Sequence, residues 1–150
     1  MKGIFGGVTL IDDYGHHPAE IQATLEAARG CGYGRLLVLF QPHRYTRTQF
    51  LWEEFRRSFD QADILVIMEI YGANEAPIAG INGELLARAI GSGGHKSASH
   101  FGTMEAGIEY LLRELRPGDA ILTIGAGSVG RALDQLAALL ESRISILHAD

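Results

Sequence analysis

The chain has 150 residues, of which 47% are apolar and 21% are charged, and its net charge is −5. These values are typical of one soluble globular domain, and the acidic balance argues against wholesale binding of nucleic acid or an anionic membrane. The single cysteine, Cys31, excludes an internal disulfide and a CxxC metal site, and it fits a cytoplasmic setting. No signal peptide is predicted, and no run approaches the roughly 18 apolar residues of a membrane helix.

Apolar strands and amphipathic helices alternate along most of the chain. Residues 1–7 are predicted as a ragged lead-in or a short edge strand, and a strand follows at 8–12. Proline at position 18 marks the first turn of a helix, where its missing N–H is harmless. The run at 35–40 is continuously apolar, which is typical of a central strand covered on both faces. Further strands are predicted at 64–68, 97–101, 120–124 and 144–147.

Helix signals occur between these strands. One helix follows residue 48 and carries Phe50, Phe55 and Phe59 on overlapping faces. Asn82 and Thr103 are predicted to cap the next two helices, and a last helix extends from 130 to about 140. The repeated β–α order predicts an α/β fold, namely a Rossmann-like, doubly wound, mostly parallel sheet of about six strands with helices on both faces. The sequence predicts one domain over 1–150, without linker or repeat.

The first strand ends in an unusually polar turn, D-D-Y-G-H-H-P at residues 12–18. Ligands bind at the carboxyl edge of open α/β sheets, so this turn is predicted to bind a ligand or take part in catalysis. Asp12 and Asp13 each have three possible roles. One carboxylate could accept hydrogen bonds from a pair of ribose hydroxyls or orient a neighbouring histidine or arginine, while the other more simply caps the backbone of the turn.

Two histidines follow in the same turn. His16 and His17 could form a metal pair, but adjacent histidines on a turn diverge and no third ligand is evident, so no metal site is predicted. A neutral imidazole near a substrate is the better interpretation of His16. For His17, next to Pro18, we expect a structural role.

A second polar turn follows the next strand, at residues 41–48. Arg44 and Arg47, beside His43, could present fork-shaped donors to a carboxylate or phosphate at the start of a helix. The alternative is two exposed arginines on a polar loop. Since strands that are successive in sequence usually pair, we expect the two polar turns to share one crevice.

A third turn, residues 125–130, matches G-x-G-x-x-G between a strand and a helix, with Asp150 twenty residues further on. This pattern suggests a dinucleotide site, but it occupies the last 26 residues and no second βαβ half follows. Close strand–helix packing with some anion affinity is the favoured interpretation. The chain contains no G-x-x-x-x-G-K-[ST] loop for a triphosphate.

Three stretches of the chain together resemble the C-terminal domain of the Mur ligase family. They are D-D-Y-G-H-H-P-A-E-I-Q-A-T-L at 12–25, F-Q-P-H-R-Y-T-R-T at 40–48 and G-A-G at 125–127. The resemblance covers about residues 8–140. Within the family it is strongest to ligases that join L-alanine to UDP-N-acetylmuramate. The murein tripeptide recycling ligases share the first turn, resemble this chain less at the second, and are the alternative.

The resemblance implies the third domain of an ATP-dependent ligase of peptidoglycan synthesis, with the UDP-sugar and central ATPase domains absent from this sequence. ATP and Mg²⁺ would be bound mainly by the central domain. ATP would phosphorylate the substrate carboxylate, and the amine of L-alanine would attack the acyl phosphate. This chain alone would hold no catalytic residues and be inactive. Its expected partners are L-alanine, ATP and UDP-N-acetylmuramate, without nucleic acid or membrane.

The resemblance also implies roles for individual side chains. Arg44 and Arg47 would hold the carboxylate of the incoming alanine. The same pocket would be lined by His43, His16 and Tyr14, which would position the amine and the methyl group. Asp12 or Asp13 would approach the nucleotide ribose when the domains close.

Overall fold

A computed structural model of the chain describes residues 3–148, so Asp150 lies outside the described part. The strands are β1 (Gly3–Phe5), β2 (Val8–Asp13), β3 (Leu36–Phe40), β4 (Ile64–Ile67), β5 (Ala98–His100) and β6 (Ala120–Ile124). They form one sheet in the order β1-β2-β6-β3-β4-β5. Every neighbouring pair is parallel except β1 and β2, which are antiparallel. The predicted mostly parallel six-stranded sheet is therefore confirmed, and residues 3–5 are its edge strand.

The helices are α1 (Pro18–Arg29), α2 (Tyr45–Phe50), α3 (Trp52–Arg56), α4 (Gly83–Ser92), α5 (Met104–Glu114) and α6 (Gly130–His148). Both predicted caps are present. Asn82 Oδ1 accepts from the Leu85 N–H at 2.8 Å, and Thr103 Oγ1 accepts from the Ala106 N–H at 3.2 Å. No helix within residues 3–148 is long and apolar enough to cross a membrane.

Helices cover both faces of the sheet, and β3 shows the arrangement. All five of its side chains are buried. Because successive side chains of a strand point to opposite faces, two cores form. Leu36, Val38 and Phe40 pack with Ile21, Leu25, Phe55 and Leu86 of α1, α3 and α4. Leu37 and Leu39 pack with Ile108, Leu111, Leu133 and Leu136 of α5 and α6. The prediction of a central strand covered on both faces is confirmed.

The C-terminal segment differs from the prediction. The expected helix end near residue 140 and the strand at 144–147 are both wrong, because α6 continues to His148. Ile144 and Ile146 favour a strand locally, but each residue added to an existing helix gains a backbone hydrogen bond without a new nucleation step. The side chain of Ile144 also lies against the β1–β2 turn, where a Cβ on Gly6 would be 3.5 Å from its Cδ1.

The helix predicted after residue 48 is two short helices that meet at Leu51. The break rotates the aromatic side chains away from a common face. Phe55 is buried in the core, whereas Phe50 is 86% exposed. Phe50, the last residue of α2, therefore lies on the surface and not in the core.

The expected pairing of the two strands that carry the polar turns is also wrong. β6, the last strand in sequence, lies between β2 and β3 and pairs in parallel with both. The tendency of sequential strands to pair is statistical, and packing of the whole sheet overrides it here. The glycine turn that follows β6 is therefore placed between the two polar turns.

Candidate functional site

Three turns meet at the carboxyl edge of the sheet, and the central one has little side-chain bulk. A Cβ on Gly127 would lie 2.8 Å from Cγ of Tyr71, and a Cβ on Gly125 would lie 2.8 Å from the carbonyl oxygen of Gln41. Gly125 also has a φ of +148°, which disfavours other residues. These contacts support the interpretation of the glycine turn as a close-packing element, and they allow the flanking turns to approach each other across it.

The Asp13 side chain accepts hydrogen bonds within its own turn and from α1. Its Oδ1 accepts from the Gly15 N–H at 2.6 Å, and its Oδ2 accepts from the Thr24 hydroxyl at 2.5 Å. Both carboxylate oxygens therefore close the turn between β2 and α1. Asp13 takes the capping role that the sequence assigned to one of the two aspartates.

Asp12 is more open. Its Oδ1 accepts from the Thr123 hydroxyl of β6 at 2.7 Å, while Oδ2 faces Gly130, where a Cβ would lie 3.6 Å away. The side chain lines a cleft of about 420 Å³ between β2 and α6, the β2–α6 cleft. The lining residues are Asp12, Tyr14, Gly127, Gly130, Arg131, Leu133 and Asp134. One oxygen of Asp12 is thus positioned to accept from a bound molecule.

His17 is the N-cap of α1. Its Nδ1 accepts from the Ala19 N–H at 3.3 Å, and the carboxylate of Glu20 accepts from the His17 N–H at 3.2 Å. This reciprocal arrangement is a capping box with a histidine at the cap. The expected structural role of His17 is confirmed.

His16 and His43 connect the first and second polar turns. Their ring centroids are 6.0 Å apart, and the ring of His43 also stacks on Tyr71 at 5.7 Å with an interplanar angle of 14°. Tyr71 belongs to the segment that follows β4. Rings from three separate segments therefore lie in contact at this edge of the sheet.

Arg47 fixes the protonation of His43. Its Nη1 lies 3.1 Å from Nδ1 of His43 and 3.3 Å from the carbonyl oxygen of the same residue. Since a guanidinium can only donate, Nδ1 must accept, and the proton of the neutral ring is on Nε2. Burial, followed by the charges of Arg47 and Arg44, lowers the pKa of His43 below its usual value. His43 is a neutral N–H donor at neutral pH.

Arg44 is held by its backbone. Its φ is +73°, its N–H donates to the Tyr71 carbonyl at 2.7 Å, and its carbonyl accepts from the Thr48 hydroxyl at 2.8 Å. Its side chain lines a cleft of about 700 Å³ beside α2, the α2 cleft. The lining residues are His17, Arg44, Thr46, Arg47, Gln49, Phe50 and Leu51. Both predicted arginines therefore line the same cleft.

The predicted single crevice is divided because β6 separates the two strands, although His17 of the first polar turn lines the α2 cleft with both arginines. Asp12 and Tyr14 line the β2–α6 cleft, whereas Arg44 and Arg47 line the α2 cleft. The contact of His16 with His43 joins the turns that carry them. Within residues 3–148, no group of three or more His, Cys, Asp or Glu side chains is arranged to hold a metal ion.

Sequence reasoning missed the segment between β4 and α4. Glu75 accepts from both the N–H and the hydroxyl of Thr46, and Tyr71 pairs with the second polar turn. The only signal was the length of that loop, because long loops in compact domains are commonly functional. Thr123, which orients Asp12, gave no signal, since it stands inside an apolar strand.

The fold and its edge define a Rossmann-like α/β domain with polar side chains gathered where such sheets bind ligands. Residues 1–127 match the family model described as "Mur ligase, glutamate ligase domain". The chain belongs to this family, in agreement with the resemblance of its motifs.

Two curated relatives carry the same name. The chain is 51% identical over 132 residues to the UDP-N-acetylmuramate–L-alanine ligase of Solibacter usitatus, covering 88% of this chain and 28% of the relative. It is 47% identical over 144 residues to the ligase of the same name from Acidobacterium capsulatum, covering 96% and 31%. The chain thus spans less than a third of the length of these relatives.

Solved structures share the fold. The UDP-N-acetylmuramate–alanine ligase of Thermotoga maritima superposes with a TM-score of 0.73 at 23% identity, over 92% of this chain and 28% of that one. A murein peptide ligase from Psychrobacter arcticus gives a TM-score of 0.72 at 19% identity, again over 92% and 28%. At these identities the comparison establishes the architecture alone.

Proposed function

We propose that this chain is the C-terminal domain of an ATP-dependent ligase that joins L-alanine to UDP-N-acetylmuramate in peptidoglycan synthesis. The names of relatives at 47–51% identity support this assignment. The UDP-sugar, the phosphates of ATP and the Mg²⁺ ion are bound mainly by domains outside the chain. This domain binds the incoming amino acid and closes over the acyl phosphate. In isolation it is inactive.

The observation that carries the proposal is the pair of guanidiniums in the α2 cleft. Arg44 and Arg47 face the same cleft, and the fork of an arginine matches the two oxygens of a carboxylate. Because α2 has only six residues, the positive charge comes from the side chains and not from a long helix dipole. An anionic amino acid head group fits this site.

His43 contributes a third donor. With Nδ1 accepting from Arg47, the remaining ring N–H is available for an anionic oxygen. We therefore assign His43 to the alanine carboxylate or to an oxygen of the acyl phosphate, where a fixed donor stabilises developing negative charge. A neutral ring with its accepting nitrogen occupied is unsuited to removing the proton of the attacking amine.

Asp12 is assigned to the ribose of the nucleotide. The Asp12 side chain lines the β2–α6 cleft, whereas both oxygens of Asp13 are used inside their own turn. Tyr14, which is 75% exposed, lines the same cleft, so we place it on the nucleotide side. His16, in contact with His43, lies between the nucleotide and the amino acid.

Steady-state kinetics of the full-length ligase that carries this chain test the proposal. Arg44→Ala and Arg47→Ala should each raise the KM for L-alanine about 10- to 100-fold, since a lost charge-assisted hydrogen bond costs roughly 1.5–3 kcal/mol. The KM for ATP should stay within about twofold. Arg88→Ala, which removes an exposed arginine paired with Glu84 on α4, is the matched control.

An unchanged KM for L-alanine in both variants would refute the assignment of the α2 cleft. Activity with a murein tripeptide and none with L-alanine would instead support the recycling ligase. The reading frame upstream of Met1 gives a further check, because the proposal requires a phosphate loop there.

A further inference from the structure

Helix α2 carries Arg47 and begins directly after Arg44, yet it has no side-chain cap from its own sequence. Its cap position is Arg44, whose φ of +73° places that residue outside the usual helical and extended regions. A six-residue helix is marginal by itself. Contacts from elsewhere must hold the two arginines in place.

Glu75 provides those contacts from the loop after β4. Its Oε1 accepts from the Thr46 N–H at 3.1 Å, and its Oε2 accepts from the Thr46 hydroxyl at 2.5 Å, across 29 residues of sequence. These hydrogen bonds lower the pKa of Glu75, so its carboxylate is ionised at neutral pH. An anion at the first turn of a helix satisfies an otherwise unpaired N–H.

The loop after β4 also fixes the backbone of the second polar turn, which carries Arg44 and Arg47. The Arg44 N–H donates to the Tyr71 carbonyl at 2.7 Å, and the Tyr71 N–H donates to the Pro42 carbonyl at 2.8 Å. The Glu75 N–H donates to the Gly72 carbonyl at 3.0 Å, which closes the loop on itself. Gly72 is packed so closely that a Cβ there would lie 3.2 Å from the Tyr45 ring.

Glu75 also leaves the guanidiniums available. Its two oxygens bond to Thr46, and no carboxylate within residues 3–148 forms an ion pair with Arg44 or Arg47. The positive charge of Arg44 contributes to the lowered pKa of Glu75. The carboxylate therefore holds the helix without occupying the donors that a ligand would use.

We propose that Glu75 is a positioning residue for the amino acid carboxylate: by capping α2 it sets the placement of Arg44 and Arg47. The proposal rests on the proposed function, because it requires that the α2 cleft binds the amino acid. It predicts an effect on one substrate only, since the β2–α6 cleft does not include Glu75.

The test uses the full-length ligase with Glu75→Ala, Glu75→Gln and Thr46→Val. Glu75→Ala should raise the KM for L-alanine at least 10-fold, with the KM values for ATP and UDP-N-acetylmuramate within about twofold, as for loss of a charge-assisted hydrogen bond. Glu75→Gln keeps an acceptor oxygen and should recover part of the loss. Thr46→Val removes the hydroxyl hydrogen bond and should raise the same KM. Adding it to Glu75→Ala should have little further effect, because Glu75→Ala already removes both hydrogen bonds to Thr46.

Glu84→Ala is the matched control, because Glu84 is an exposed carboxylate paired with Arg88 on another helix. If Arg47→Ala raises the KM for L-alanine and Glu75→Ala does not, the positioning role is wrong and the proposed function stands. If Arg44→Ala, Arg47→Ala and Glu75→Ala all leave it unchanged, the assignment of the α2 cleft to the amino acid is wrong, and the positioning role falls with it. An equal rise in all three KM values would show general structural damage and overturn the positioning role. Should Glu75→Ala fail to fold, the KM pattern of Glu75→Gln and Thr46→Val decides.

Discussion

At the scale of single residues, the site depends on which polar atoms are already occupied. Asp12 and Asp13 are adjacent and chemically identical, yet Asp13 uses both oxygens internally and Asp12 keeps one facing a cleft. His17 caps α1 through Nδ1, whereas Nδ1 of His16 lies 3.2 Å from the Tyr14 carbonyl and its ring contacts that of His43. A polar side chain whose atoms are all satisfied within the fold contributes to stability, and its unsatisfied neighbour remains available to a ligand.

His43 gives a pH prediction at this scale. Its pKa should lie below the ordinary value of about 6.5 in the folded chain. Arg47→Met should raise it, because one of the nearby positive charges is lost, whereas burial remains. Histidine signals followed by NMR across a pH titration, assigned with His43→Gln, provide the measurement. Arg88→Met, on the distant surface of α4, should leave the pKa unchanged.

The sign of the linked stability change follows from the direction of that shift. Between the folded and unfolded pKa values of His43, the unfolded chain binds more protons, so stability increases with pH. The contribution is complete above about pH 6.5 and is lost as the pH falls from there through the folded pKa. A contribution of the opposite sign, compared between the wild type and His43→Gln, would contradict the lowered pKa.

At the scale of elements, the glycine turn after β6 determines how close the two polar turns come. Gly125 leaves the strand with a φ of +148° against the Gln41 carbonyl, and Gly127 lies against the ring of Tyr71. A larger residue at either position would displace Gln41 or Tyr71 away from the glycine turn. The G-x-G-x-x-G pattern is thus used for packing, although the same spacing can serve a dinucleotide site.

Gly125→Ala should therefore destabilise the chain. The added Cβ would lie 2.8 Å from the Gln41 carbonyl oxygen and 2.9 Å from Cγ1 of Val129, at a φ that an L-residue rarely adopts. We expect a loss of about 1–3 kcal/mol in the free energy of unfolding, measured by urea titration of the 150-residue chain. Gly91→Ala, in helix α4 with nothing within 4 Å of its Cβ, should instead be neutral or stabilising. Equal free energies of unfolding for Gly125→Ala and Gly91→Ala would mean that packing and backbone conformation do not require glycine at position 125.

At the scale of the whole molecule, the fold places one largely buried ion pair at the edge of the sheet opposite to the β2–α6 and α2 clefts. Arg35 and Asp119 precede the central strands β3 and β6, at the amino edge of the sheet. Arg35 Nε and Nη2 donate to the two oxygens of Asp119 at 3.1 and 2.7 Å, and Asp119 is 2% exposed. The hydrogen bonds to Asp119 raise the pKa of Arg35. The clefts lie at the opposite, carboxyl edge.

Asp119→Ala should lower the free energy of unfolding by about 3 kcal/mol, because it breaks a largely buried pair and leaves an arginine without its partner. It also removes the acceptor of the Arg116 N–H. In the full-length ligase the variant should keep the wild-type KM for L-alanine at a temperature where it remains folded. A raised KM at that temperature would show that the two edges of the sheet are coupled.

Local sequence patterns determined the central strand, the starts of several helices and the residues at the carboxyl edge of the sheet. The continuous apolar run at 35–40 predicted the central strand. Pro18 and the caps Asn82 and Thr103 predicted where helices begin, and the two polar turns predicted which residues lie at the carboxyl edge. Each of these signals acts within one element, through burial on two faces or a hydrogen bond three residues along the chain.

Only the tertiary structure decided the rest. The place of β6 between β2 and β3, the open oxygen of Asp12, and the capping of α2 by Glu75 across 29 residues depend on how distant segments pack. The continuation of α6 through residues 144–147 shows the same limit, since the residues there favour a strand locally. Composition and spacing describe a segment by itself, whereas strand order and contacts between loops result from packing of the whole chain.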